Sequence, residues 1–326
     1  MSASSNKSQW YNNTSMKDSA KQYVYGAYTQ LSHLIDAQLP AKFIAPQWRQ
    51  SRALAAGSYR SNFRGRGLEF EDVRAYQAGD DVRTIDWRVT ARSGKAHTKT
   101  FREEHERPVL LCVDQRMSNF IGSQHCFKST MSATLSALIA WSGTQNKDRV
   151  GGLVFNDDTH QMIKPKSTKK IVLQYLQTVC DYNQQLTRDR QIHSIPSQSL
   201  LRALEQLQLV AKTSASVFII SDFHGFDEPC VRKLLELCKH NNVFCIQVMD
   251  LIEHNMPTMS HAVFGNGKTT LKLNTQSSQF KQRYQDSFEQ QQQFITDTFK
   301  QYAIPFVQCY THDEPLHVLR QHLRKG

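Results

Sequence analysis

Residues 108–118 have the sequence PVLLCVDQRMS, an apolar run that ends in an aspartate and a basic loop. A short run without polar residues predicts a β-strand that is buried on both faces. Similar apolar runs follow and alternate with amphipathic segments, which indicates a parallel sheet with crossover helices. The sequence therefore predicts an α/β fold with a mostly parallel sheet and helices on both faces. The other predicted strands are Val150–Phe155, Ser216–Ser221, Val243–Met249 and Pro305–Tyr310.

Six segments have apolar residues at helical spacing and are predicted as helices. They are Cys126–Trp141, Thr168–Cys180, Ser199–Ala211, Glu228–His240, Ser277–Tyr302 and Glu314–Leu323. Before the long fifth helix, two glycines flanked by apolar residues predict a hairpin insertion near residues 257–275. Together these elements make up a predicted domain over residues 108–326.

The sequence before residue 108 divides into three parts. Residues 1–18 are polar and rich in Ser and Asn, and we expect them to form a disordered tail. Within residues 19–107 we expect a helix that Pro40 interrupts, a short second helix, and then a small β-rich platform. The platform strands are predicted at Glu69–Tyr76 and Ala96–Phe101.

The composition excludes several classes of protein. The 326 residues are 39% hydrophobic, which is enough for a core, and no apolar stretch reaches the roughly 18 residues of a membrane span. The seven Cys form no C-x-x-C pair and the N-terminus has no apolar signal segment. We therefore expect reduced thiols and a cytoplasmic protein.

The net charge of +11 would suit a nucleic acid or another anionic surface as the partner. The excess of basic residues is spread along the chain, however, and this argues against that function. The tightest cluster without acidic residues holds Lys164, Lys166, Lys169 and Lys170, and a lysine-rich loop before a helix is commonly just solvated. A basic protein that binds nucleic acid or an anionic surface stays the alternative hypothesis.

Two aspartates follow predicted strands at the edge where α/β sheets bind ligands. Asp114 ends the first apolar run, and Asp222 follows the strand Ser216–Ser221. With the Ser118 hydroxyl, these carboxylates have the oxygen ligands that Mg²⁺ prefers. The alternative is that each aspartate only caps the turn or helix that follows it.

Several motifs resemble those of the domain-of-unknown-function 58 family. The most specific is GDDVRTIDWR at residues 79–88, within a block that extends to Arg107. The segments DQRMS, DRVGGLVF, VFIISDF and HDEPL further along are similar to the family's von Willebrand factor A-like domain. The resemblance runs from about Gly57 to the C-terminus.

This resemblance implies a von Willebrand factor A-like (Rossmann-like) fold. It also implies association with MoxR-type AAA+ ATPases, for which such proteins are regarded as adaptors or co-chaperones in the assembly or maturation of other proteins. Metal-binding members of the wider fold carry a D-x-S-x-S motif and a later Thr. In this chain Asp114 and Ser118 match, Asp222 matches the remaining carboxylate, but Arg116 replaces the middle hydroxyl and Ser197, Gln198 and Ser199 stand near the Thr position.

Arg116 has a direct physical interpretation, because a guanidinium is always charged and binds carboxylates with two hydrogen bonds. It can lie where a cation would lie and neutralise Asp114 and Asp222. We therefore expect a degenerate metal site without a cofactor, with Mg²⁺ as the other possibility. Arg116, Asp114, Ser118 and Asp222 are then predicted to form a docking crevice for a protein partner.

The platform block carries many charges of both signs around Trp87. We favour an ion-pair network that pins the small β unit onto the main sheet, with Trp87 as its apolar anchor. The alternative is a contact surface, in which Arg83 and Trp87 bind the partner, since Arg and Trp dominate interface hot spots.

The sequence lacks the common signatures of enzymes. It contains no H-E-x-x-H, no G-x-S-x-G and no zinc-type Cys/His spacing. We therefore expect a non-enzymatic protein without a small-molecule substrate. A Mg²⁺-dependent hydrolase that uses Asp114 and Asp222 is a further alternative, which would need a metal-activated water and a general base.

Overall fold

The computed structural model describes residues 25–44, 68–77, 80–103, 108–187, 196–211, 214–254, 262–265, 270–273 and 278–323. The predicted tail over residues 1–18 lies outside them. The chain divides into two compact units, a large one of residues 1–51 with 107–326 and a small one of residues 52–106. Residues 25–44 thus pack with the large unit, in contrast to their predicted grouping with the platform.

The described helices and strands follow one another along both units. In chain order they are α1 (Leu31–Asp36), α2 (Gln38–Ala41), β1 (Leu68–Ala75), α3 (Trp87–Ser93), β2 (His97–Glu103), β3 (Pro108–Asp114), α4 (Lys128–Gln145), β4 (Arg149–Phe155), β5 (His160–Lys166), α5 (Lys169–Gln184), α6 (Pro196–Val210), β6 (Ser216–Ser221), α7 (Glu228–Cys238), β7 (Asn242–Met249), α8 (Leu251–His254), β8 (Ala262–Gly265), β9 (Thr270–Leu273), α9 (Ser278–Gln301), β10 (Phe306–Tyr310) and α10 (Pro315–His322).

The large unit is built on a six-stranded sheet in the order β10-β7-β6-β3-β4-β5. All neighbours are parallel except β4 and β5, which are antiparallel. The strand order reverses at β3, which pairs with β4 on one side and β6 on the other. Ligands of open α/β sheets bind beyond the carboxyl ends of the strands at such a reversal. The predicted α/β fold with a mostly parallel sheet is confirmed.

Two hydrophobic cores cover the two faces of the sheet. Alternate residues of β3 point to opposite faces, so Leu111 lies in one core and Leu110 in the other. The first core includes residues of α4 and α5, and the second includes residues of α6, α7 and α9. The helices thus lie on both faces, as predicted.

Residues 25–44 form part of the first core. The Trp141 indole donates a hydrogen bond to the Leu34 carbonyl oxygen at 2.8 Å, and Leu34 is fully buried. Within these residues the first helix, α1, begins at Leu31. Pro40 lies inside α2 rather than between two helices, which is possible because the first turn of a helix does not use its backbone N–H groups.

β5 was not predicted as a strand. Its sequence HQMIKPK has no apolar run, and only Ile163 is buried among its residues. It lies at the edge of the sheet, where lysine and proline are common because the outer side pairs with no strand. The predicted hairpin insertion corresponds to the antiparallel pair of β8 and β9.

The small unit contains the antiparallel pair of β1 and β2 and the helix α3. The helix was not predicted. It begins where the Asp86 carboxylate accepts hydrogen bonds from the backbone N–H groups of Arg88 and Val89, and it ends at Gly94, whose φ is 69°. An N-cap aspartate and a left-handed glycine are the usual ends of a short helix.

The role of Trp87 as an anchor of the small unit on the main sheet stays a prediction. Its side chain is 70% exposed at the first position of α3. The ion pairs described in this unit are local, between Arg74 and Asp80 at 2.6 Å and between Lys99 and Asp86 at 3.5 Å. Among the residues described here, no helix of either unit has the length and apolar character needed to span a membrane.

Candidate functional site

The ends of β3 and β6 bring the two predicted aspartates together. β3 pairs with β6 from Val109 to Val113, so Asp114 and Asp222 leave neighbouring strands at the same edge. Asp114 is fully buried and Asp222 is 7% exposed. Carboxylates with so little contact with water require cationic or hydrogen-bonding partners.

The Arg116 guanidinium lies between these two carboxylates. Its Nη2 atom is 2.7 Å from Asp114 Oδ2 and 3.3 Å from Asp222 Oδ1, and its Nε atom is 3.0 Å from both oxygens of Asp114. The side chain is completely buried and its Cζ atom lies 5.5 Å from the centroid of the Phe155 ring. The guanidinium therefore takes the place between the carboxylates that a metal ion would need.

A second buried cation completes the cluster. The Lys128 Nζ atom is 3.1 Å from Asp222 Oδ2 and 2.6 Å from Glu253 Oε1. Lys128 is the first residue of α4 and is 1% exposed, whereas the Glu253 side chain is 19% exposed. We call Asp114, Arg116, Lys128, Asp222 and Glu253 the cation-filled site.

The loop after β6 holds the guanidinium from the other side. Phe223 has a φ of 55°, a left-handed conformation that is uncommon for a bulky residue. It is fixed by its own burial and by the hydrogen bond from its N–H to the Ser221 hydroxyl at 2.9 Å. This turn directs the His224 carbonyl oxygen to Arg116 Nη1 at 3.0 Å. The strained backbone thus serves to complete the coordination of Arg116.

The neighbouring charges favour the ionised forms of Asp222 and Lys128. Burial alone would raise the pKa of Asp222, but Lys128 and Arg116 outweigh this effect and hold its pKa well below the usual range. Burial alone would lower the pKa of Lys128, but Asp222 and Glu253 raise it above its usual value. The site is therefore a network of compensated charges rather than a set of neutral groups.

The residues present do not fit a Mg²⁺ ion. Asp114 Oδ2 accepts hydrogen bonds from Ser221 Oγ at 2.6 Å and from Arg116, and Asp222 Oδ1 accepts one from the His224 N–H at 2.9 Å. A metal ion needs these oxygens as ligands and would lie close to two permanent cations. Within the described residues, no group of three His, Cys, Asp or Glu side chains is arranged to hold a metal.

Ser118 and the residues near the expected threonine position were also predicted at this edge. The Ser118 Oγ atom is buried and makes no hydrogen bond to the described part of the chain. Ser199 is buried in the first turn of α6, Gln198 is exposed, and the Ser197 side chain lies outside the described residues.

The predicted docking crevice is closed in this structure. Because Asp114 and Arg116 are fully buried, a partner cannot contact them without a rearrangement. The exposed groups that surround the site are His224, the partly exposed Glu253 and Leu251, which is 38% exposed. Partner binding by the four predicted residues stays a prediction, and it would have to act through these outer side chains.

Sequence reasoning missed Lys128 and Glu253. Lys128 is the only charged residue of α4, an 18-residue helix, and a single charge in an otherwise uncharged helix is a signal that could have identified it. Glu253 comes four residues after the end of β7 and lies within the short helix α8. Its proximity to Lys128 depends on that turn of helix and was not visible in the sequence.

Buried amides connect the site with the N-terminal segment. Gln115 donates to the Ser129 carbonyl oxygen at 2.9 Å and accepts a hydrogen bond from Asn183 Nδ2 at 2.9 Å. Asn183 Oδ1 in turn accepts the Thr29 N–H at 2.8 Å. The loop that carries Arg116 is thus tied to residues 25–44 by a continuous chain of hydrogen bonds.

Comparison with known sequences identifies the family. The sequence model described as "Protein of unknown function DUF58" matches residues 72–294, more than half of the chain. The chain belongs to the DUF58 family. Relatives of this DUF58 protein include the uncharacterized proteins Rv1480 of Mycobacterium tuberculosis (strain ATCC 25618 / H37Rv) and Mb1516 of Mycobacterium bovis, each 26% identical over 205 residues. The match covers 63% of this chain and 62% of the length of each relative.

Solved structures similar to this DUF58 protein include two bacterial proteins. BatB from Bacteroides thetaiotaomicron has a TM-score of 0.38 and 11% identity, covering 67% of this chain and 98% of its own. The von Willebrand factor type A protein from Catenulispora acidiphila has a TM-score of 0.35 and 9% identity, covering 70% and 43%. The DUF58 protein itself has a six-stranded, mostly parallel sheet with the strand reversal at β3.

Proposed function

We propose that this chain is a non-enzymatic, metal-independent adaptor or co-chaperone of the cytoplasm. Its partner is a MoxR-type AAA+ ATPase that acts in the assembly or maturation of other proteins. The proposed independence from a metal ion is supported by the position of Arg116, whose guanidinium bridges Asp114 and Asp222. Arg116 occupies the position of the middle hydroxyl in the D-x-S-x-S pattern, so the chain has a built-in cation at this point.

The same geometry argues against hydrolysis at this site. A hydrolase would need a carboxylate that can take up a proton or hold a metal-activated water. Asp114 and Asp222 instead have their oxygens bonded to Arg116, Lys128 and backbone or hydroxyl donors. These groups stabilise the loop ends and leave no free base between them.

The small unit carries exposed residues that we propose as the partner-binding surface. Trp87 is 70% exposed and Val82 is 61% exposed, and Arg83 is exposed between them in sequence. An exposed tryptophan next to arginines is typical of interface hot spots. We therefore assign partner contact to Trp87 and Arg83, while the cation-filled site keeps the loops at the sheet edge in shape.

The test is a binding measurement between the purified chain and the MoxR-type ATPase of the same organism. We expect equal affinity in Mg²⁺ and in EDTA when the ATPase is free of nucleotide. Loss of binding in EDTA would show that a metal contributes, and absence of any binding would overturn the adaptor role. Recovery of nucleic acid in place of the ATPase would support the alternative of a basic nucleic-acid binding protein.

The surface of the small unit has its own test. Trp87→Ala is expected to weaken binding by about 30-fold or more, the range of a hot-spot residue. Tyr302→Ala is the matched control, since Tyr302 is an aromatic residue of the large unit with 44% exposure. Equal affinity of the two variants would remove Trp87 from the interface.

A further inference from the structure

Exposed basic residues collect at the edge of the sheet that is opposite to the cation-filled site. Val150, near the start of β4, pairs with Lys166 at the end of β5, and Lys164 precedes it by two residues. Arg149 lies beside them, because its guanidinium donates a hydrogen bond to the Pro165 carbonyl oxygen at 3.4 Å. The three basic side chains are exposed.

Two helices bring further lysines to this edge. α5 begins shortly after β5 and has Lys169 and Lys170 in its first turn. α4 ends at the same edge, and Lys147 lies in the turn that leads from it into β4. The side chains of these three lysines are exposed as well.

The N-terminal segment reaches this edge along α4. Gln145, the last residue of α4, donates to the Gln38 carbonyl oxygen at 2.8 Å. Ser142, one turn earlier, donates to the Ile44 carbonyl oxygen at 3.2 Å. Residues 38–44 therefore lie next to the end of α4.

Residues 38–44 add exposed apolar side chains as well as a further lysine. Leu39 is 60% exposed, Phe43 is 49% exposed, and the exposed Lys42 lies between them. On α5, Leu173 is 39% exposed one turn after Lys169.

We call the seven cations that share this edge the basic edge. They are Lys42, Lys147, Arg149, Lys164, Lys166, Lys169 and Lys170.

The charge of the basic edge is not balanced by the fold. Residues 159–180 contain no acidic residue. Of the nearby carboxylates on the elements that form the edge, Asp148 is buried and Asp36 ends α1. Among the described residues, none of the seven cations forms an ion pair with a carboxylate.

Two of the lysines are also unfavourable for the helix that carries them. Lys169 and Lys170 lie at the positive end of the α5 dipole, and the N-cap Thr168 makes no side-chain capping bond. Cations at a helix N-terminus destabilise it. These charges therefore do not serve the stability of the fold, and a ligand for them has to be anionic.

We propose that the basic edge binds the surface of an anionic lipid bilayer. Six of the seven cations are lysines, which are depleted in protein interfaces but attract diffuse negative charge well. Exposed Leu and Phe side chains beside lysines are the pattern of surfaces that insert shallowly between lipid headgroups. A nucleic acid would instead be expected to meet several aromatic side chains or a charged groove, and Phe43 is the single exposed aromatic ring that the described part of the basic edge offers.

The proposal is tested by sedimentation of the full chain with lipid vesicles. We expect binding to mixed phosphatidylglycerol and phosphatidylcholine vesicles, weakening with salt, and none to vesicles of phosphatidylcholine alone. Lys169→Glu with Lys170→Glu is expected to lower the partition coefficient by about 30-fold or more, at about fivefold for each lysine charge removed. The same substitutions place acidic residues at the N-terminus of α5, so the variant is expected to fold at least as stably as the wild type.

Matched variants separate the surface from net charge. Arg232→Glu with Lys300→Glu changes the charge by the same amount at exposed residues of α7 and α9, and it is expected to keep most of the binding. Leu39→Ser with Phe43→Ser is expected to weaken binding at all salt concentrations, whereas Leu209→Ser, at a leucine that is 78% exposed, is not.

Three outcomes would overturn the proposal. Equal binding to both kinds of vesicle would exclude an electrostatic interaction with the lipid surface. An equal loss of vesicle binding in the α7/α9 control variant would show that only the net charge of the protein matters. Tighter binding to duplex DNA, lost in the Lys169/Lys170 variant, would assign the basic edge to nucleic acid. The ATPase measurement is independent of these, because the proposed partner contacts are Trp87 and Arg83 of the small unit.

Discussion

Arg116 Nη2 donates a hydrogen bond to Asp222 Oδ1 at 3.3 Å, although the two residues are 106 positions apart in sequence. The contact links the loop after β3 with the loop after β6 across the strand reversal of the sheet. It involves a guanidinium with no exposed surface and a carboxylate with a 6% exposed side chain. A buried charge pair of this kind favours one arrangement of the two loops. Removal of either partner leaves the other charge buried and uncompensated.

Arg116→Ser is expected to destabilise the protein by about 3–5 kcal/mol, because it leaves Asp114 buried without its cation. The substitution also restores the middle hydroxyl of the D-x-S-x-S pattern. We therefore expect Mg²⁺ or Mn²⁺ to recover part of the lost stability by binding to the folded state. The measurement is thermal unfolding of the variant with each metal and with EDTA.

The wild type is the control for this experiment. Its melting temperature is expected to be the same in Mg²⁺ and in EDTA, since Arg116 fills the site. A rise of the wild-type melting temperature with Mg²⁺ would contradict the built-in cation, and a variant indifferent to metal would mean that Lys128 alone keeps the site closed.

Lys128→Met is expected to cost about 3–5 kcal/mol of unfolding free energy, because Asp222 and Glu253 both lose a buried partner. The Lys128→Met/Asp222→Asn double variant should lose less unfolding free energy than the sum of the losses of the two single variants. The reason is that the second change removes a charge that the first one left unpaired. Urea unfolding of the four proteins measures this coupling.

Lys233→Met provides the surface comparison for Lys128. Lys233 pairs with Glu236 one turn away at 3.0 Å, and both side chains are about one third exposed or more. Exposed pairs of this kind contribute about 0.2–1 kcal/mol. A cost for Lys128→Met no larger than that of Lys233→Met would show that the buried lysine is not needed.

The strands were predictable because each is an apolar run of its own. Val109 to Val113 and Val217 to Ile220 must be buried on both faces, whatever their neighbours are. β5 was not predictable in this way, because an edge strand with one buried residue, Ile163, has almost no hydrophobic signal. Its identity as a strand depends on pairing with β4.

The carboxylates of the site were predictable from their place after two strands, and the bridging role of Arg116 from the chemistry of a guanidinium. Its complete burial was not, because burial depends on the turn at Phe223 and on the His224 carbonyl oxygen. Lys128 is the first residue of α4 and is separated from β3 by a loop. Contacts of this kind are decided by tertiary packing rather than by local sequence pattern.

The stability of the protein is expected to fall steeply in acid because of Asp222. Its pKa in the folded protein is held below the unfolded value of about 3.9 by Lys128 and Arg116, despite burial. The unfolded chain therefore binds more protons between these two pKa values, and the stability that Asp222 contributes is complete above about pH 4 and is lost as pH falls through that window.

Unfolding in urea at a series of acidic pH values checks this expectation. Asp222→Asn should be less stable at neutral pH but should show a shallower loss below about pH 4. Asp286→Asn, at an exposed residue of α9, is the control and should keep the wild-type slope. Equal slopes for wild type and Asp222→Asn would show that Asp222 is not the group that carries the acid dependence.

Asn183→Leu tests the tie between the site and the N-terminal segment. Asn183 is fully buried, and its amide joins the Thr29 N–H to Gln115. Leucine has a similar size but leaves two buried polar groups without partners, at about 1–3 kcal/mol each. We expect hydrogen exchange at the amides of residues 29–44 to accelerate more than exchange within β3, because the segment loses an attachment that the sheet does not need.

Gln177→Leu, which removes only an exposed bond to Asp181 on the same helix, should leave both rates unchanged. Uniform acceleration throughout the large unit would mean that the segment and the sheet unfold as one.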